Sequence, residues 1–543
     1  MKRSISLLLA AVMMLALLAS CSQSAPAPVS ETTPSQAAPD TPSEPSKPEY
    51  SEITVEVFDR GTDGGKTDPT NNFYTDWIKK KLLEDENIGV TFQAVSRWEE
   101  QEQLNNLMAA GNAPDVCLTY STDLITTYRE LGGLVDLAPY IETHLPDLDA
   151  FLGEDAAVPG KRLIYRQITE SGQVFSIPAR RINTAAVNTF IRKDWLDKLN
   201  MPIPTTIDEF YNTLKAFKEQ DPGGVGKSKV IPFIIGSRDV RWRARTLLDS
   251  FIDPNLSDKD RWINTVVDRE FLLPGYKEGL RYLNKLYNEG LTDTEFALYT
   301  DDTNSDNLIK SGVVGSFIHN WDQPYRDTPG LLKDLKANVP DAEIISIDCF
   351  KNAAGKYYKN AYEPAGVNFF IPASSKNVEG ALRYINWLSK VENRYFLQIG
   401  EEGVTHVMVD GAPKMISAEG EKIMNSSQNI DYTIMINGLD TGDEATNLKA
   451  MANSYNVDPQ LIMTAYENAM RDAKPLMVVP GLTLTAAAPV SQTLVDKGWT
   501  LLAECVTCKP ADFDATWDRN IADWLASGAQ AVVDERAQKF YQP

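Results

Sequence analysis

Apolar and polar positions alternate in two ways along the first part of the chain. Residues 53–58 and 90–95 alternate between apolar and polar side chains, which predicts two strands, and residues 116–120 predict a third. Residues 73–83 and 104–108 instead place apolar side chains on one face at helical spacing. Strand, helix, strand, helix and strand in this order predict a parallel sheet covered by helices.

Ligands of such sheets bind outside the carboxyl ends of the strands. The loops that leave these ends begin at Asp59, Ser96 and Tyr120. We therefore expect candidate binding residues in or beside these three loops.

The same patterns continue through the rest of the chain. Thr206 and Glu209 have the spacing of a capping box, and the helix that follows is expected to bury its apolar stripe. Further elements are predicted at residues 276–287, 313–318, 366–371, 382–388 and 517–524. Four tryptophans on helical stripes are expected in the core: Trp195, Trp387, Trp517 and Trp524.

The N-terminus is predicted to be a processed leader. Lys2 and Arg3 precede an apolar stretch at residues 5–18, and two small residues lead to Cys21. This pattern predicts a lipoprotein signal peptide over residues 1–20, with a lipid attached to the Cys21 thiol. An ordinary secretory signal with an incidental cysteine is the alternative.

A proline-rich segment follows the predicted leader. Residues 22–49 contain seven prolines and many Ser, Thr and Ala residues. Because this composition cannot bury a core, residues 21–49 are predicted to form a disordered tether that holds the folded part off a membrane surface. No later segment reaches the apolar length of a membrane-spanning helix.

Length and charge narrow the class of protein. The 543 residues are too many for one core and predict two or three domains. The chain has 53 Lys and Arg residues against 75 Asp and Glu, a net charge of −22, which argues against nucleic acid as a partner. Only three His and five Cys are present, which disfavours a zinc enzyme with several His ligands.

Four groups of residues carry a resemblance to a known family. They are residues 108–116 (MAAGNAPDV), 133–141 (GLVDLAPYI), 175–178 with 190–196 and 204–210 (FSIP, FIRKDWL, PTTIDEF), and 366–373 (GVNFFIPA). In this respect the chain resembles the extracellular solute-binding lipoproteins of ABC importers, in the subgroup related to alginate- and other oligosaccharide-binding proteins.

The resemblance implies an α/β, two-lobe periplasmic-binding-protein-like fold (type II), in which hinge segments join two lobes around a central cleft. The expected lobes are residues 50–180 plus 365–430 and residues 181–364 plus 431–543, with crossings near 178–186, 362–367 and 425–440. Such a protein closes on its ligand by hinge motion.

The implied function is that of a monomeric binding protein without catalysis or cofactor. It would be anchored through Cys21 on the extracytoplasmic face of the cell membrane, capture an oligosaccharide and deliver it to ABC importer permease subunits.

The segment at residues 221–232 invites two readings as an ion site. Gly226-Lys227-Ser228 resembles the end of a phosphate loop, but Asp221 stands where that loop needs its first glycine. Members of the resembled family often carry a calcium loop here, and its oxygen ligands are replaced by Gly223, Val225, Lys229 and Val230. The prediction is therefore a surviving loop without a metal.

The cysteines do not predict a catalytic or metal site. Cys505 and Cys508 form a single CxxC motif, which is read as a local disulfide or as two ordinary thiols. Cys117 and Cys349 lie in predicted strands and are expected in the core.

Sugar binding needs aromatic platforms and polar side chains, because pyranose rings present apolar C–H faces. Trp98 and Tyr120 follow predicted strands, and Asn320 and Trp321 follow another. These four are candidate ligand-binding residues, although each aromatic side chain could equally be packing.

A cluster of cations suggests a uronate-bearing ligand as a finer hypothesis. Residues 238–245 contain four arginines and a tryptophan, of which Arg241 and Trp242 are the candidates. The same idea covers Arg180 and Arg181, which the resemblance places just after the first crossing, with Arg180 as the candidate there. Arginine binds carboxylates through two parallel hydrogen bonds. The alternative is a solvated helix face with local salt bridges.

Two other function classes stay open. A peptide-binding receptor would have the same architecture, and a lipid-anchored glycoside hydrolase would need a pair of carboxylates. No HExxH or GxSxG motif is present, so catalysis has little support.

Overall fold

The computed structural model describes residues 48–60, 68–158, 160–236, 240–299, 302–326, 330–348, 350–351, 355–416, 431–482 and 484–541. The predicted signal peptide, Cys21, nearly all of the predicted tether and Cys349 lie outside the described residues.

Fourteen strands occur in the described residues. They are β1 (Ser51–Asp59), β2 (Ile88–Ser96), β3 (Cys117–Thr119), β4 (Ile177–Arg181), β5 (Val187–Arg192), β6 (Ile231–Ile234), β7 (Val314–Asn320), β8 (Ile344–Ile347), β9 (Lys359–Asn360), β10 (Ala365–Phe370), β11 (His406–Val409), β12 (Ala412–Met415), β13 (Ile436–Asn437) and β14 (Ala473–Lys474).

The α-helices surround these strands. They are α1 (Phe73–Glu86), α2 (Glu100–Ala110), α3 (Thr122–Glu130), α4 (Ile141–His144), α5 (Pro146–Leu152), α6 (Lys193–Lys198), α7 (Ile207–Gln220), α8 (Val240–Arg243), α9 (Arg245–Asp249), α10 (Asp258–Asn264), α11 (Tyr276–Asn288), α12 (Thr303–Lys310), α13 (Leu331–Asn338), α14 (Val378–Ser389), α15 (Val391–Ile399), α16 (Glu444–Asn453), α17 (Pro459–Met470), α18 (Ser491–Thr507), α19 (Phe513–Trp524) and α20 (Gln530–Lys539).

The first part of the chain forms a mixed sheet. β1 and β2 are parallel along their whole length, and β1 reaches β3 through a parallel bridge between Val55 and Val116. β3, β10, β4 and β13 then follow in this order, with β10 antiparallel to both β3 and β4. The three predicted strands and their parallel arrangement are confirmed. The sheet as a whole is mixed, because β10 returns from the far part of the chain and runs in the opposite direction.

A second sheet is built from strands that lie between β4 and β10 in the chain. Its order is β6-β7-β5-β8, with β6 parallel to β7 and β5 antiparallel to both β7 and β8. β7 and β5 are the two inner strands, and each buries all but one of its side chains.

Each sheet has its own hydrophobic core. The first core joins β1, β2, α1 and α14 to residues 432–436, and two further clusters pack on the second sheet. The four tryptophans expected in the core are all buried, and Trp195 meets Phe217 of α7 edge-on with ring centroids 5.1 Å apart.

The capping box of α7 is confirmed. The Thr206 hydroxyl accepts a hydrogen bond from the Glu209 N–H at 3.1 Å, and the Glu209 carboxylate accepts one from the Thr206 N–H at 3.2 Å. This reciprocal pair satisfies two free N–H groups at the helix start and aims the stripe of α7 into the core.

The segments that were predicted to cross between lobes run beside each other. The Tyr362 N–H donates to the Thr184 carbonyl at 2.8 Å, and Ile436 lies opposite Arg180 where β13 pairs with β4. A Cβ on Gly438 would lie 3.1 Å from the Cβ of Ile182, so the two segments approach closely here. The connections between the two sheets are therefore adjacent in space.

The described cysteines are free thiols. Cys117 is buried in β3, as predicted. Cys505 and Cys508 lie near the end of α18, where the Asn284 amide donates to their carbonyl oxygens at 2.9 and 2.8 Å. Burial raises the pKa of the Cys505 thiol to about 12, so Cys505 is a protonated thiol at neutral pH.

Among the described residues, no helix has the length and apolar content needed to cross a membrane.

Candidate functional site

The ends of three strands bring together what we call the strand-end group: Arg60, Arg97, Trp98, Tyr120 and Asp431. Arg60 follows β1, Arg97 and Trp98 follow β2, and Tyr120 follows β3. Since the carboxyl ends of parallel strands lie at one edge of a sheet, these side chains meet although they are far apart in sequence.

Aromatic rings and guanidinium groups alternate within the strand-end group. The Arg97 guanidinium lies 4.1 Å from the ring centroid of Tyr120 and 5.5 Å from that of Trp98. Tyr120 stacks on Phe58 with centroids 6.0 Å apart, which holds its ring in place. Trp98 is 75% exposed, so its ring presents a free apolar face to solvent.

Both arginines of the strand-end group have carboxylate partners. The Arg60 Nε and Nη2 donate to the two oxygens of Asp431 at 2.6 and 2.7 Å, a bidentate pair. The Arg97 Nη1 lies 3.0 Å from Glu100 Oε2. Burial raises the pKa of Asp431 above its ordinary value, and the Arg60 guanidinium offsets this only in part.

A buried carboxyl group lies beneath the strand-end group. Glu56 of β1 accepts the Leu118 N–H at 2.8 Å through one oxygen, and its other oxygen has no hydrogen-bond partner among the described residues. Burial holds the pKa of Glu56 well above its ordinary value, and the charges of Glu100 and Asp431 raise it further. Glu56 is therefore protonated at pH values where exposed carboxyl groups are ionised.

A second set of polar and aromatic side chains lies at the crossings, and we call it the crossing group: Arg181, Trp242, Asn320 and Tyr362. The Tyr362 hydroxyl donates to Asn320 Oδ1 at 3.2 Å, and the Tyr362 ring lies 5.8 Å from that of Trp242. The Arg181 guanidinium lies 5.3 Å from the Tyr362 ring centroid. Tyr362 thus links β4, α8 and β7.

Charge in the crossing group differs from that of the strand-end group. Among the described residues, no carboxylate lies within ion-pair distance of Arg181, and its buried Nε has no hydrogen-bond partner. Behind Trp242, by contrast, Arg245 Nη2 donates to the buried Glu270 at 3.2 Å. Arg181 is therefore a cation whose charge the described carboxylates leave uncompensated.

Comparison with known proteins assigns the family. Residues 67–395, more than half of the chain, match the family described as bacterial extracellular solute-binding protein. The chain belongs to this family. The family resemblance that was drawn from the sequence is thereby confirmed, and the function of such proteins is to bind a solute outside the cytoplasm.

Named relatives are distant but cover most of the chain. The polygalacturonan/rhamnogalacturonan-binding protein YtcQ of Bacillus subtilis is 23% identical over 82% of this chain and 84% of its own length. Lipoprotein LipO of the same organism is 25% identical over 57% of this chain and 60% of its own length.

Solved structures confirm the two-lobe α/β fold. A solute-binding protein from Bifidobacterium longum subsp. infantis is 20% identical, with a TM-score of 0.60, and covers 90% of this chain and 97% of its own. The alginate-binding protein AlgQ2 is 19% identical, with a TM-score of 0.53 and the same coverage.

In the present chain, four of the residues predicted from the sequence lie in the strand-end group or the crossing group. Trp98 and Tyr120 lie together at the strand ends, and Trp242 and Asn320 lie together at the crossings. The side chain of Arg241 lies outside the described residues, as does Cys21.

Two predicted residues lie elsewhere. The Arg180 Nη1 donates to the Phe151 carbonyl at 3.0 Å, away from Tyr362. Trp321 is only 5% exposed, and its ring packs edge-on against Tyr455 and Tyr466 in the third cluster. The predicted roles of Arg180 and Trp321 as ligand contacts stay predictions. In this structure the ring of Trp321 has no face exposed to solvent.

Sequence reasoning did not select Arg60, Arg97 or Tyr362, and it named Arg181 only together with Arg180. For Arg60 and Arg97 a signal was present, since each directly follows a strand end that was named as a candidate loop. Tyr362 lies in a segment that was predicted as a crossing. Its contact with Asn320, 42 residues away, has no signal in the local pattern.

The loop at residues 221–232 satisfies its acidic residue internally. The Asp221 carboxylate accepts the N–H groups of Val225 and Gly226 at 3.0 and 2.7 Å. A Cβ on Gly223 would lie 2.6 Å from the Trp195 ring, so packing excludes a larger side chain there. In the described part of the chain, no three His, Cys, Asp or Glu side chains are grouped to hold a metal ion.

Proposed function

We propose that this solute-binding protein captures an oligosaccharide in the cleft between its lobes. The observation that carries the proposal is the exposed ring of Trp98, which stands beside Arg97 and Tyr120 at the end of β2. An exposed aromatic face with N–H and O–H donors around it suits a pyranose ring, which needs both an apolar contact and hydrogen bonds.

The finer proposal is a ligand that carries uronate groups. Arg181 supports it, because a carboxylate entering the cleft would supply the partner that the described residues do not. YtcQ, which is named for binding polygalacturonan and rhamnogalacturonan, is consistent with this ligand class.

The proposed delivery is to the permease of an ABC importer, without turnover of the sugar. Closure of the lobes is a population shift, so the closed form must bind the ligand more tightly than the open form does. The adjacent connections between the two sheets are suited to such a hinge.

We also propose a lipid anchor on Cys21 and a tether up to residue 49. The pattern of residues 1–21 supports it, and the relative LipO is named a lipoprotein. A Cys21→Ser variant is expected to leave the membrane fraction on cell lysis. A variant that stayed membrane-bound would contradict the anchor.

The decisive experiment is a thermal-shift and calorimetric comparison of the intact chain with three ligand sets: oligogalacturonides, neutral oligosaccharides and peptides. A ligand at about 100 times its dissociation constant adds about 2.7 kcal/mol of stability, a readily measured shift. Recovery of the sugar unchanged separates binding from hydrolysis.

Each result has a defined meaning. Stabilisation by oligogalacturonides supports the full proposal, and stabilisation by neutral oligosaccharides alone supports the first part and rejects the uronate part. Stabilisation by peptides alone would identify a peptide receptor, and breakdown of the sugar would identify a glycosidase.

A further inference from the structure

A cavity of about 350 Å³ lies in the part of the chain that packs on the second sheet. Its described walls come from residues 254–261, 351, 355–359 and 472–474. Leu256 and Tyr358, which line it, pack against the second core. All described walls thus belong to one side of the molecule, whereas the interlobe cleft needs both.

The cavity is cationic in an acidic protein. Its charged lining residues are Arg261, Lys351, Lys356, Lys359 and Lys474 against Asp258 and Asp472. The whole chain carries a net charge of −22, so an excess of cations around one cavity is opposite in sign to the protein as a whole.

Arg261 forms the buried part of the lining. It is only 5% exposed, and its guanidinium lies 5.1 Å from the ring centroid of Tyr358. Its Nη atoms reach the carbonyl oxygens of Lys474 and Pro475 at 3.3 to 3.4 Å, which are long hydrogen bonds. Its Nε has no partner in the described part of the chain, so a buried N–H donor remains unsatisfied.

The lysines differ in how they are compensated. The Lys359 ammonium donates to Asp348 and to the Asn468 carbonyl at 2.5 and 2.6 Å. Lys351 and Lys474 are exposed at the rim, and no carboxylate of the described residues lies within ion-pair distance of either. Their charges are therefore available to a ligand.

The cavity is separated from the crossing group by a buried polar layer. The Tyr358 hydroxyl donates to Glu270 at 3.4 Å, and Glu270 accepts from Arg245, whose guanidinium lies 5.9 Å from the Trp242 ring. The lining residue Tyr358 is thus connected to Trp242 of the crossing group through Glu270 and Arg245 and does not contact it directly in these interactions.

We propose that this cavity is a second binding site, for a small anion that bears carboxylate or phosphate groups. Arg261 would donate its free N–H to an anionic oxygen, while Lys351 and Lys474 would compensate the charge at the rim. The inference goes beyond the proposed capture of an oligosaccharide and does not depend on it.

The test is calorimetric titration of the intact chain with two probes, inorganic phosphate and citrate, in a chloride-free buffer at low ionic strength. Either probe is expected to bind, and the double variant Lys351→Gln, Lys474→Gln is expected to bind it about tenfold more weakly. The matched control is Lys80→Gln, Lys333→Gln, which removes the same charge from two exposed lysines elsewhere and should leave the affinity unchanged.

Arg261→Gln gives a second reading and is expected to reduce binding further. If the Arg261→Gln variant fails to fold, the double lysine variant still tests whether the cavity binds the anion. Binding of phosphate alone or citrate alone would identify the source of the anionic group. No binding of either probe at millimolar concentration, or an equal loss in the control variant, would overturn the proposal. Oligosaccharide affinity should stay unchanged in the lysine variant, so the two proposals fail independently.

Discussion

The strand-end group and the crossing group both combine arginines with aromatic rings, but they handle charge differently. At the strand ends, Arg60 is held by Asp431 and Arg97 by Glu100. At the crossings, Arg181 faces the ring of Tyr362 and has no carboxylate partner in the described residues. The first group is thus internally neutralised, and the second retains a net cation.

This difference separates two tasks of a sugar site. A neutralised group whose Trp98 ring is exposed can hold the apolar face of any pyranose, and it does not select for charge. A cation without a protein partner favours an acidic ligand, because the ligand's carboxylate replaces lost hydration. We therefore assign shape recognition to the strand-end group and charge recognition to Arg181.

The largest expected effect follows from removing the carboxylate of the strand-end group. Asp431→Asn leaves Arg60 without its bidentate partner and is expected to lower the free energy of unfolding by about 3 kcal/mol. The control is Asp149→Asn, whose partner Arg162 has a side chain that is 43% exposed, with an expected loss below about 1 kcal/mol. If denaturant titrations showed the same loss for Asp431→Asn and Asp149→Asn, the Arg60–Asp431 pair would not stabilise the fold more than an exposed ion pair does.

The pH dependence of folding tests the buried carboxyl beneath that group. Since burial raises the pKa of Glu56, its contribution to stability is present at low pH and is lost as pH rises towards its folded-state pKa. Glu56→Gln removes this loss, so its stability relative to the natural chain should rise by up to about 1.4 kcal/mol per pH unit. Denaturant titrations at about pH 5 and about pH 8 measure the difference. A constant difference would mean that Glu56 ionises normally.

Affinity for acidic sugars tests the cation at the crossings. Arg181→Gln is expected to weaken binding of oligogalacturonides about tenfold and to leave neutral oligosaccharides unaffected. Arg180→Gln is the matched control. Arg180 directly precedes Arg181 in the same strand, and its side chain donates to the Phe151 carbonyl. If both variants behaved alike in calorimetry, Arg181 would have no special role in charge recognition.

A smaller effect is expected from the exposed ring at the strand ends. Trp98→Ala should weaken oligosaccharides of either charge about fivefold, with an unchanged melting temperature, because the ring makes little packing contact. Leu131→Ala, which removes a side chain that is 78% exposed, should change neither quantity. If the Trp98→Ala variant kept full affinity for every sugar tested, Trp98 would not contact the ligand, and the main support for the proposed function would be lost.

The last prediction concerns metal removal, which is expected to have no effect on stability. A chelator should not move the melting temperature of the intact chain, because the Asp221 carboxylate is already satisfied by two N–H groups of its own loop. Addition of calcium after chelation is the control measurement. A melting temperature that fell with chelator and recovered with calcium would contradict the prediction of a metal-free loop.

Most secondary structure near the candidate site was predictable from local pattern. The strands β1 and β2, the helices α1 and α7 and the capping box at Thr206 were all anticipated, because alternation and helical spacing act over a few neighbouring residues. The loops that carry Arg60, Arg97, Trp98 and Tyr120 were also predicted as candidate loops, since ligands bind at the carboxyl ends of strands. Asp431 was not among these predictions.

The choice between Arg180 and Arg181 marks the limit of that reasoning. The two arginines are adjacent and chemically identical, and successive side chains of a strand point to opposite faces. Only the register of β4 against β10 and β13 turns Arg181 towards Tyr362 and Arg180 towards Phe151. A shift of one residue would have exchanged their roles.

The sequence by itself therefore determined the elements, the family and the loops in which to search. It did so because these features depend on short-range periodicity and on motifs that lie within a few residues of each other. The tertiary structure alone decided that Arg60 meets Asp431, 371 residues away, and that β10 runs against its neighbours. Such pairings depend on how distant segments pack, and no local pattern of apolar and polar residues specifies the partner.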